Sequence, residues 1–515
     1  MKTRLGIFAT SRQDIFLLVI TGIIISISLL FNIFTLFSQS IRLDESQSIL
    51  FSIKPTLSVL STVAKDVHVP LYNLLLHFWM QLFGTNIIYA RILSLLFFLA
   101  TLPVLYLLAK EASNKYVALV TVTLFALSPF ITWFSHETRM YTLFIFTTCL
   151  QHLFFLKLLR KRSVGIIGGL FISTLLGAYS HYFFSFLIIT QVIYLGILYL
   201  KSIPSADGKS ALKRIFSNEN PYREVLITYF AATFIAYLFL LPWIGYVLFS
   251  GGAASTKPLI PSPTSYNLLQ TFILFIFGNQ SQKIQSLLVA LWPLSVLILF
   301  FVFTHKKNIS TQRLDYFMLV TFVPVILMFV ISYIYPIFLP RYLIFITPTL
   351  FFLLAWLLVN YSKRTAIILT LLLVSLMFSF SVYQSVSADT PVKENYKGVA
   401  NYLSTQSTSE DIILVSPPFT TYPIEYSYQG TTRIATVPEW NRYDEKSTLP
   451  PFSLPNFEKQ MKKYEKQYSR AFIVLSYDQG YQASIQKYLD THYQLESKKE
   501  FSYELQVRVY KLRYN

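Results

Sequence analysis

Apolar residues fill eleven long blocks in the first three quarters of the chain and then stop. The blocks lie at roughly 15–37, 86–109, 117–134, 141–157, 164–180, 182–200, 224–248, 286–304, 315–335, 342–361 and 365–387. Each approaches the about 20 residues that a helix needs to cross the hydrocarbon of a bilayer. The pattern predicts an α-helical polytopic membrane protein of about eleven spans. The first block is longer than the apolar core of a secretion signal, and no small-residue cleavage site follows it, so it reads as a retained span. After about residue 388 the periodicity changes. "YKGVANYL" (396–403), "FEKQMKKYEKQY" (457–468) and "ASIQKYL" (483–489) read as helices, and "DIILVS" (411–416), "AFIVLS" (471–476) and "LQVRVYKL" (505–512) as strands. Mixed elements of this kind predict an α/β domain. The expected organisation is a multi-span domain over 1–388, with a large first loop at about 38–85, and an α/β domain over 389–515.

Composition narrows the class. The 515 residues are 54% hydrophobic and 13% charged, with a mean hydropathy of +0.50. Soluble domains carry about 25% charged residues, so a cytosolic globular enzyme is excluded. The single cysteine, Cys149, rules out an intrachain disulfide and a cysteine-based metal cluster, and its apolar surroundings suit a small buried residue.

The net charge of +18 would suggest nucleic acid on a soluble chain. Here its distribution says otherwise. With the N-terminus in the cytoplasm, 19 of the 27 basic residues before position 389 fall on inner segments, among them Arg160, Lys161, Arg162, Lys213, Arg214, Lys363 and Arg364. That is the bias of the positive-inside rule. The charge therefore reports insertion, no nucleic-acid partner is expected, and an odd number of spans puts 389–515 outside.

The same orientation sorts the polar residues. Only four of the ten carboxylates before 389 fall on the outer side: Asp44, Glu45, Asp66 and Glu137. His68, His136, His181, Arg42, Arg91, Arg139 and Arg341 are placed with them. Charged groups near the bilayer are costly unless they face a wet cavity or a partner. Each also has a plainer reading. Asp44 and Glu45 in "IRLDESQS" (41–48) can be a solvated loop pair or a carboxylate base supported by Arg42. His68 in "DVHVPLYNLLLHFW" (66–79), ahead of Pro70 and Tyr72, can be a helix-entry residue or a site residue. Glu137 and Arg139 in "SPFITWFSHETRMYTL" (128–143) can pair at a helix start, or Arg139 can bind phosphate. His181 sits in the tight turn "AYSHYFF" (178–184). Arg341 in "YPIFLPRYL" (335–343) can snorkel to headgroups or reach a ligand.

Taken in order, several of these motifs resemble those of the membrane glycosyltransferases of the C-type fold. The likeness is to the family of protein O-mannosyltransferases and bacterial aminoarabinose and galacturonic acid transferases. Its carriers are "LDE" (43–45), "HVPLY" (68–72) where relatives often have "HPPLY", "ARILSLLF" (90–97), "SHETRMYTL" (135–143) and "RYLIFITP" (341–348), and it covers roughly residues 10–390. The resemblance implies an enzyme of the hexosyl- or pentosyltransferase class. Such enzymes move a sugar from a polyprenyl-phosphate carrier to a lipid, glycan or protein hydroxyl on the extracytoplasmic side, with inversion. It implies Asp44 as general base and Glu45 as the second acidic position. His68, Tyr72, Arg91, His136, Glu137, Arg139, Tyr141, His181 and Arg341 follow as substrate-side candidates, with Arg91 able to reach the lipid phosphate. No cofactor is certain and a divalent metal stays open. The chain has no GxxxxGK[ST] phosphate loop, in keeping with a lipid-linked donor. A flippase of lipid-linked sugars, or a surface-polysaccharide polymerase or ligase, are the alternatives. The expected location is the plasma membrane.

Overall fold

The computed structural model describes residues 12–66, 68–202, 220–250, 261–291, 313–387, 389–390, 394–441 and 449–513. Eight helices among them are long and apolar enough to cross a membrane: Thr21–Ser38, Ile87–Ala112, Tyr141–Arg160, Phe184–Lys201, Arg223–Phe249, Leu314–Ile331, Pro340–Val359 and Lys363–Val386. The protein is a multi-pass membrane protein. The expected count of eleven is not reached among the described residues, and three blocks account for the difference. Lys115–Leu127 and Pro129–Ser135 form a pair bent by 66°, a ninth span if counted as one. Val164–Ser180 is apolar but only 17 residues long. The block at 286–304 lies outside the described residues from 292 onward. An apolar helix at Ser265–Phe277 was in none of the blocks, being only 13 residues long. The first loop holds the helices Leu43–Ser52, Thr56–Ala64 and Leu71–Phe83.

The chain divides into two compact units. One comprises Met1–Leu36, Pro55–Gly278 and Lys283–Gln384; the other comprises Phe37–Lys54, Asn279–Gln282 and Ser385–Asn515.

The helical unit is held together by more than apolar packing. Lipid gives helices no hydrophobic reason to associate, so small residues and interhelical hydrogen bonds carry much of the specificity. Gln151 donates to Gln191 Oε1 (3.1 Å), Gln191 donates to the Tyr316 hydroxyl (2.7 Å), and Tyr229 donates to Gln191 Oε1 (2.8 Å). His152 Nδ1 lies 2.6 Å from the Tyr316 hydroxyl, and Ser173 and Thr174 both donate to Gln151 Oε1. Five helices are thereby tied by one buried chain of partners. Phe155 stacks on Tyr316 beside it, with centroids 5.1 Å apart.

In the second unit a five-stranded sheet has the order β2-β1-β3-β5-β4. Its strands are β1 (Asp411–Ser416), β2 (Arg433–Thr436), β3 (Arg470–Leu475), β4 (Gln494–Ser502) and β5 (Leu505–Lys511). β2, β1 and β3 are parallel; β5 runs antiparallel to β3 and to β4. Alternation along the strands serves two cores. Ile412, Leu414, Ala471 and Ile473 meet Phe457, Met461, Ile485 and Leu489 on one face. Ile413, Val415, Phe472 and Val474 meet Tyr396, Val399, Leu403 and Ile424 on the other. β1 is buried along its whole length, as expected for a parallel strand covered on both faces. β4 is an exposed edge carrying Lys498 and Lys499, the kind of charge that discourages edge-to-edge pairing.

Candidate functional site

In the helical unit the bend at residues 128–129 starts the construction. Lys115–Leu127 ends at Ser128, whose hydroxyl accepts from the Ile131 amide (3.2 Å) and donates to the Phe275 carbonyl (2.7 Å). Pro129 opens the next helix, where a missing N–H costs nothing. That helix ends at His136, and the buried residues Glu137, Thr138 and Arg139 turn the chain into Tyr141–Arg160. The turn is closed by the Arg139 amide donating to the Glu137 carbonyl at 2.7 Å.

Arg139 then meets His68. Its Nη2 donates to His68 Nε2 at 2.7 Å. Since Nε2 accepts, the ring proton belongs on Nδ1. Asp66 Oδ2 lies 3.8 Å from the same nitrogen. His68 reaches this position from the residues just before Leu71–Phe83, whose N-cap is Pro70.

His181 comes from the turn between Val164–Ser180 and Phe184–Lys201. The turn is tight because Gly177 has no side chain: a Cβ there would overlap the Phe184 ring. The imidazole stacks on Phe144 (4.7 Å, 11°), faces Tyr342 at 5.7 Å, and accepts the Phe183 amide at Nδ1 (3.2 Å). The Arg341 guanidinium lies 5.6 Å over the Tyr342 ring. Arg139 and Arg341 are close enough for their charges to act on His181, and burial together with these charges keeps its imidazole neutral. Four of the expected residues therefore form one ring-lined group whose positive charge comes from Arg139 and Arg341, an arrangement that suits a phosphate.

Others of the set lie in the same unit. The Tyr72 hydroxyl is 2.6 Å from Ser94 Oγ, which donates to the Arg139 carbonyl at 3.4 Å. Tyr141 is buried, edge-on to Phe134 at 4.8 Å. His136 is buried with Nδ1 3.4 Å from Ser135 Oγ. Arg91, near the start of Ile87–Ala112, is enclosed by the protein. It is 1% exposed, and Nη1 donates to the Leu36 carbonyl at 2.9 Å.

In the second unit Asp44 and Glu45 occupy the first turn of Leu43–Ser52 and part company there. The Glu45 carboxylate turns back and accepts the Arg42 amide at 3.1 Å, and the side chain is fully buried. That is a helix-capping bond. Asp44, one residue earlier, stays half-buried. Arg42 Nη2 donates to Gln39 Oε1 at 3.3 Å.

A third carboxylate, absent from the expected set, belongs to this group. Glu394 accepts the Leu43 amide on Oε2 (2.8 Å) and the Tyr477 hydroxyl on Oε1 (2.5 Å). Burial pushes its carboxyl up to about 7, and the Asp44 charge adds to that. Its only sequence signal was the polar opening of the tail, since 351 residues separate it from Leu43. Among the described residues no group of three or more His, Cys, Asp or Glu is arranged to hold a metal.

These features define the class: a multi-pass membrane protein with the fold of the C-type glycosyltransferases and an α/β domain after its last span. A family model described as dolichyl-phosphate-mannose-protein mannosyltransferase matches residues 67–205. The structure is similar to that of ArnT from Cupriavidus metallidurans bound to undecaprenyl phosphate. The TM-score is 0.56 at 13% identity, over 95% of this chain and 97% of that one. The apo state of the same protein gives 0.55 at 12% identity, over the same shares. The arabinofuranosyltransferase AftD from Mycobacteria gives 0.48 at 12% identity, over 96% of this chain and 40% of that one. No curated protein matches the chain by sequence.

Proposed function

We propose that this protein is a membrane glycosyltransferase that moves a sugar from a polyprenyl-phosphate carrier to an acceptor hydroxyl on the extracytoplasmic side. The observation that carries this reading is the similarity in fold, over nearly the full length of both chains, to a transferase whose structure holds undecaprenyl phosphate. The two guanidinium charges of the group formed by Arg139, His68, His181 and Arg341 support a phosphate-bearing donor.

Asp44 is the general base in this proposal. The acceptor O–H gives its proton to the Asp44 carboxylate as the oxygen attacks the anomeric carbon. The bond from that carbon to the phosphate oxygen breaks, the polyprenyl phosphate leaves with the electron pair, and the anomeric configuration inverts. Arg139 stabilises the charge that grows on the departing phosphate. His68 holds Arg139 through the 2.7 Å bond. The basic bias of one set of loops supports a cytoplasmic N-terminus and an extracytoplasmic tail.

The test is transfer of radiolabelled sugar from a panel of undecaprenyl-phosphate-linked hexoses and pentoses, with the purified chain in lipid nanodiscs. Asp44→Asn keeps shape and removes basicity. Loss of a general base costs about 10²–10⁴-fold in rate. Wild-type transfer by Asp44→Asn would remove Asp44 from the mechanism. Transport of the donor lipid without sugar transfer would replace the enzyme reading with that of a flippase.

A further inference from the structure

We propose that Glu394 is a positioning residue for the transfer reaction: it holds the first turn of the helix that presents Asp44 and, when ionised, keeps Asp44 basic. This rests on the reading of Asp44 as the general base.

The geometry is a bridge built within the second unit. Leu43 is the first residue of Leu43–Ser52, and its amide is among the four at a helix start that lack an intrahelical acceptor. The Glu394 carboxylate takes it at 2.8 Å. Ser40, just upstream, accepts the Lys397 amide at 2.9 Å, so the helix entry is held at a second point by the same stretch of the tail. The other end of the bridge is fixed to the sheet. The Asn395 amide donates to Ser502 Oγ, and the Asn395 side chain caps Tyr396–Gln406, which packs on the sheet through Tyr396, Val399 and Leu403.

The second oxygen of Glu394 is held by Tyr477, in the loop after β3. Tyr477 has φ +47°, a left-handed conformation that a bulky residue adopts at a cost. Its hydroxyl stands 2.5 Å from the carboxylate. Strained non-glycine residues gather where function requires a fixed group.

The electrostatic part follows from proximity. Among the described residues, the charged and titratable groups acting on Glu394 include Asp44 and Arg42 at the helix start, Tyr477 from the loop and Tyr396 from the following helix. Asp44 and Glu394 are like charges, so each raises the other's proton affinity. Burial, more than Asp44, holds the Glu394 carboxyl up to about 7. Above that pH an ionised Glu394 makes Asp44 the stronger base. Below it Glu394 is neutral, Asp44 loses that support, and the rate falls.

Glu394→Gln and Glu394→Ala separate the two parts. The amide of Gln can still accept from Leu43, so Glu394→Gln leaves hydrogen-exchange protection over 42–46 intact. It lowers kcat about 3- to 10-fold at unchanged KM, and the fall in rate near pH 7 disappears. Glu394→Ala, which keeps neither bond, also loses the exchange protection and is slower still. Both are measured in the full chain in nanodiscs with the undecaprenyl-phosphate-sugar panel. Glu394→Gln with the wild-type rate and pH profile overturns the proposal, and this arm decides if Glu394→Ala does not fold. Asp44→Asn run alongside locates any failure. If it is inactive while Glu394→Gln behaves as wild type, only the role of Glu394 falls. If it transfers at the wild-type rate, the reading of Asp44 falls and takes this one with it.

Discussion

Two arginines look alike in the sequence and part company in the structure, and their substitutions are expected to fail in different ways. Arg91 is 1% exposed and donates to the Leu36 carbonyl at 2.9 Å. Arg91→Ala removes that bond, leaves a buried carbonyl short of a donor, and opens a cavity the size of a long side chain. An orphaned buried polar group costs about 1–3 kcal/mol, and the lost packing adds to it, so a total of about 3 kcal/mol is expected. Arg139 faces His68 within the ring-lined group, and its proposed work is on the departing phosphate. Arg139→Lys keeps the charge and loses the planar fork. Losing such a donor in the transition state costs about 2–4 kcal/mol, or roughly 10²–10³ in rate. Thermal unfolding in detergent and sugar transfer per folded molecule measure the two. Arg91→Ala is expected to melt several degrees lower with turnover largely kept, and Arg139→Lys to keep its melting temperature with turnover lost. Arg91→Ala with wild-type stability and no turnover, or Arg139→Lys with full turnover, would refute the reasoning.

Two further predictions concern stability. Arg470 holds Asp411 through two bonds, Nε to Oδ1 at 3.0 Å and Nη2 to Oδ2 at 2.8 Å; burial raises the Asp411 carboxyl, but these bonds and those from Thr408 outweigh it and leave it below the usual carboxylate range. The pair therefore stabilises above the unfolded-state value and its contribution is lost as pH falls through the lower folded-state value; Arg470→Ala is expected to speed proteolysis within 389–515 of the full chain near neutral pH and to narrow its difference from wild type on acidification, and a difference unchanged with pH would refute this. Tyr316→Phe removes the 2.6 Å contact with His152 and the 2.7 Å bond from Gln191; at about 0.6 kcal/mol for each hydrogen bond inside a membrane protein, a loss of about 1 kcal/mol is expected, and an unchanged melting temperature would show that the network carries no stability.

How far the sequence could be read follows from which patterns burial imposes. β1 matches its predicted range, and β3 and β5 lie within one residue of theirs, because each is an apolar strand facing one core or both. β2 spans four residues, too few to show a period. β4 was missed because as an exposed edge strand it has no apolar face to alternate. The helical blocks were visible because lipid demands apolar residues over a fixed length. The same rule hid Ser265–Phe277, which is shorter than that length, and the break at Ser128, where a cap and a proline divide one apolar run. At the site, polar residues beside apolar blocks stood out, which is how His68, Arg139, His181 and Arg341 entered the candidate set. Glu394 did not, because it lies in a polar segment, where a carboxylate gives no contrast.

The acidic pair shows what geometry adds to such a reading. Asp44 and Glu45 are neighbours in sequence, and chemistry alone ranks them as equal candidates for a base. On a helix, successive side chains point about 100° apart, so two neighbours at its start cannot face the same way. At the third position the Glu45 side chain is long enough to reach back to the Arg42 amide, and it does so at 3.1 Å while fully buried. Taking a proton would weaken that acceptor at the point where it holds the helix start. Asp44, a position earlier, is half-buried, on the turn that Glu394 fixes from outside the helix. Capping therefore falls to one carboxylate, anchoring to a second that arrives from the tail, and the third keeps the exposure that a proton acceptor requires.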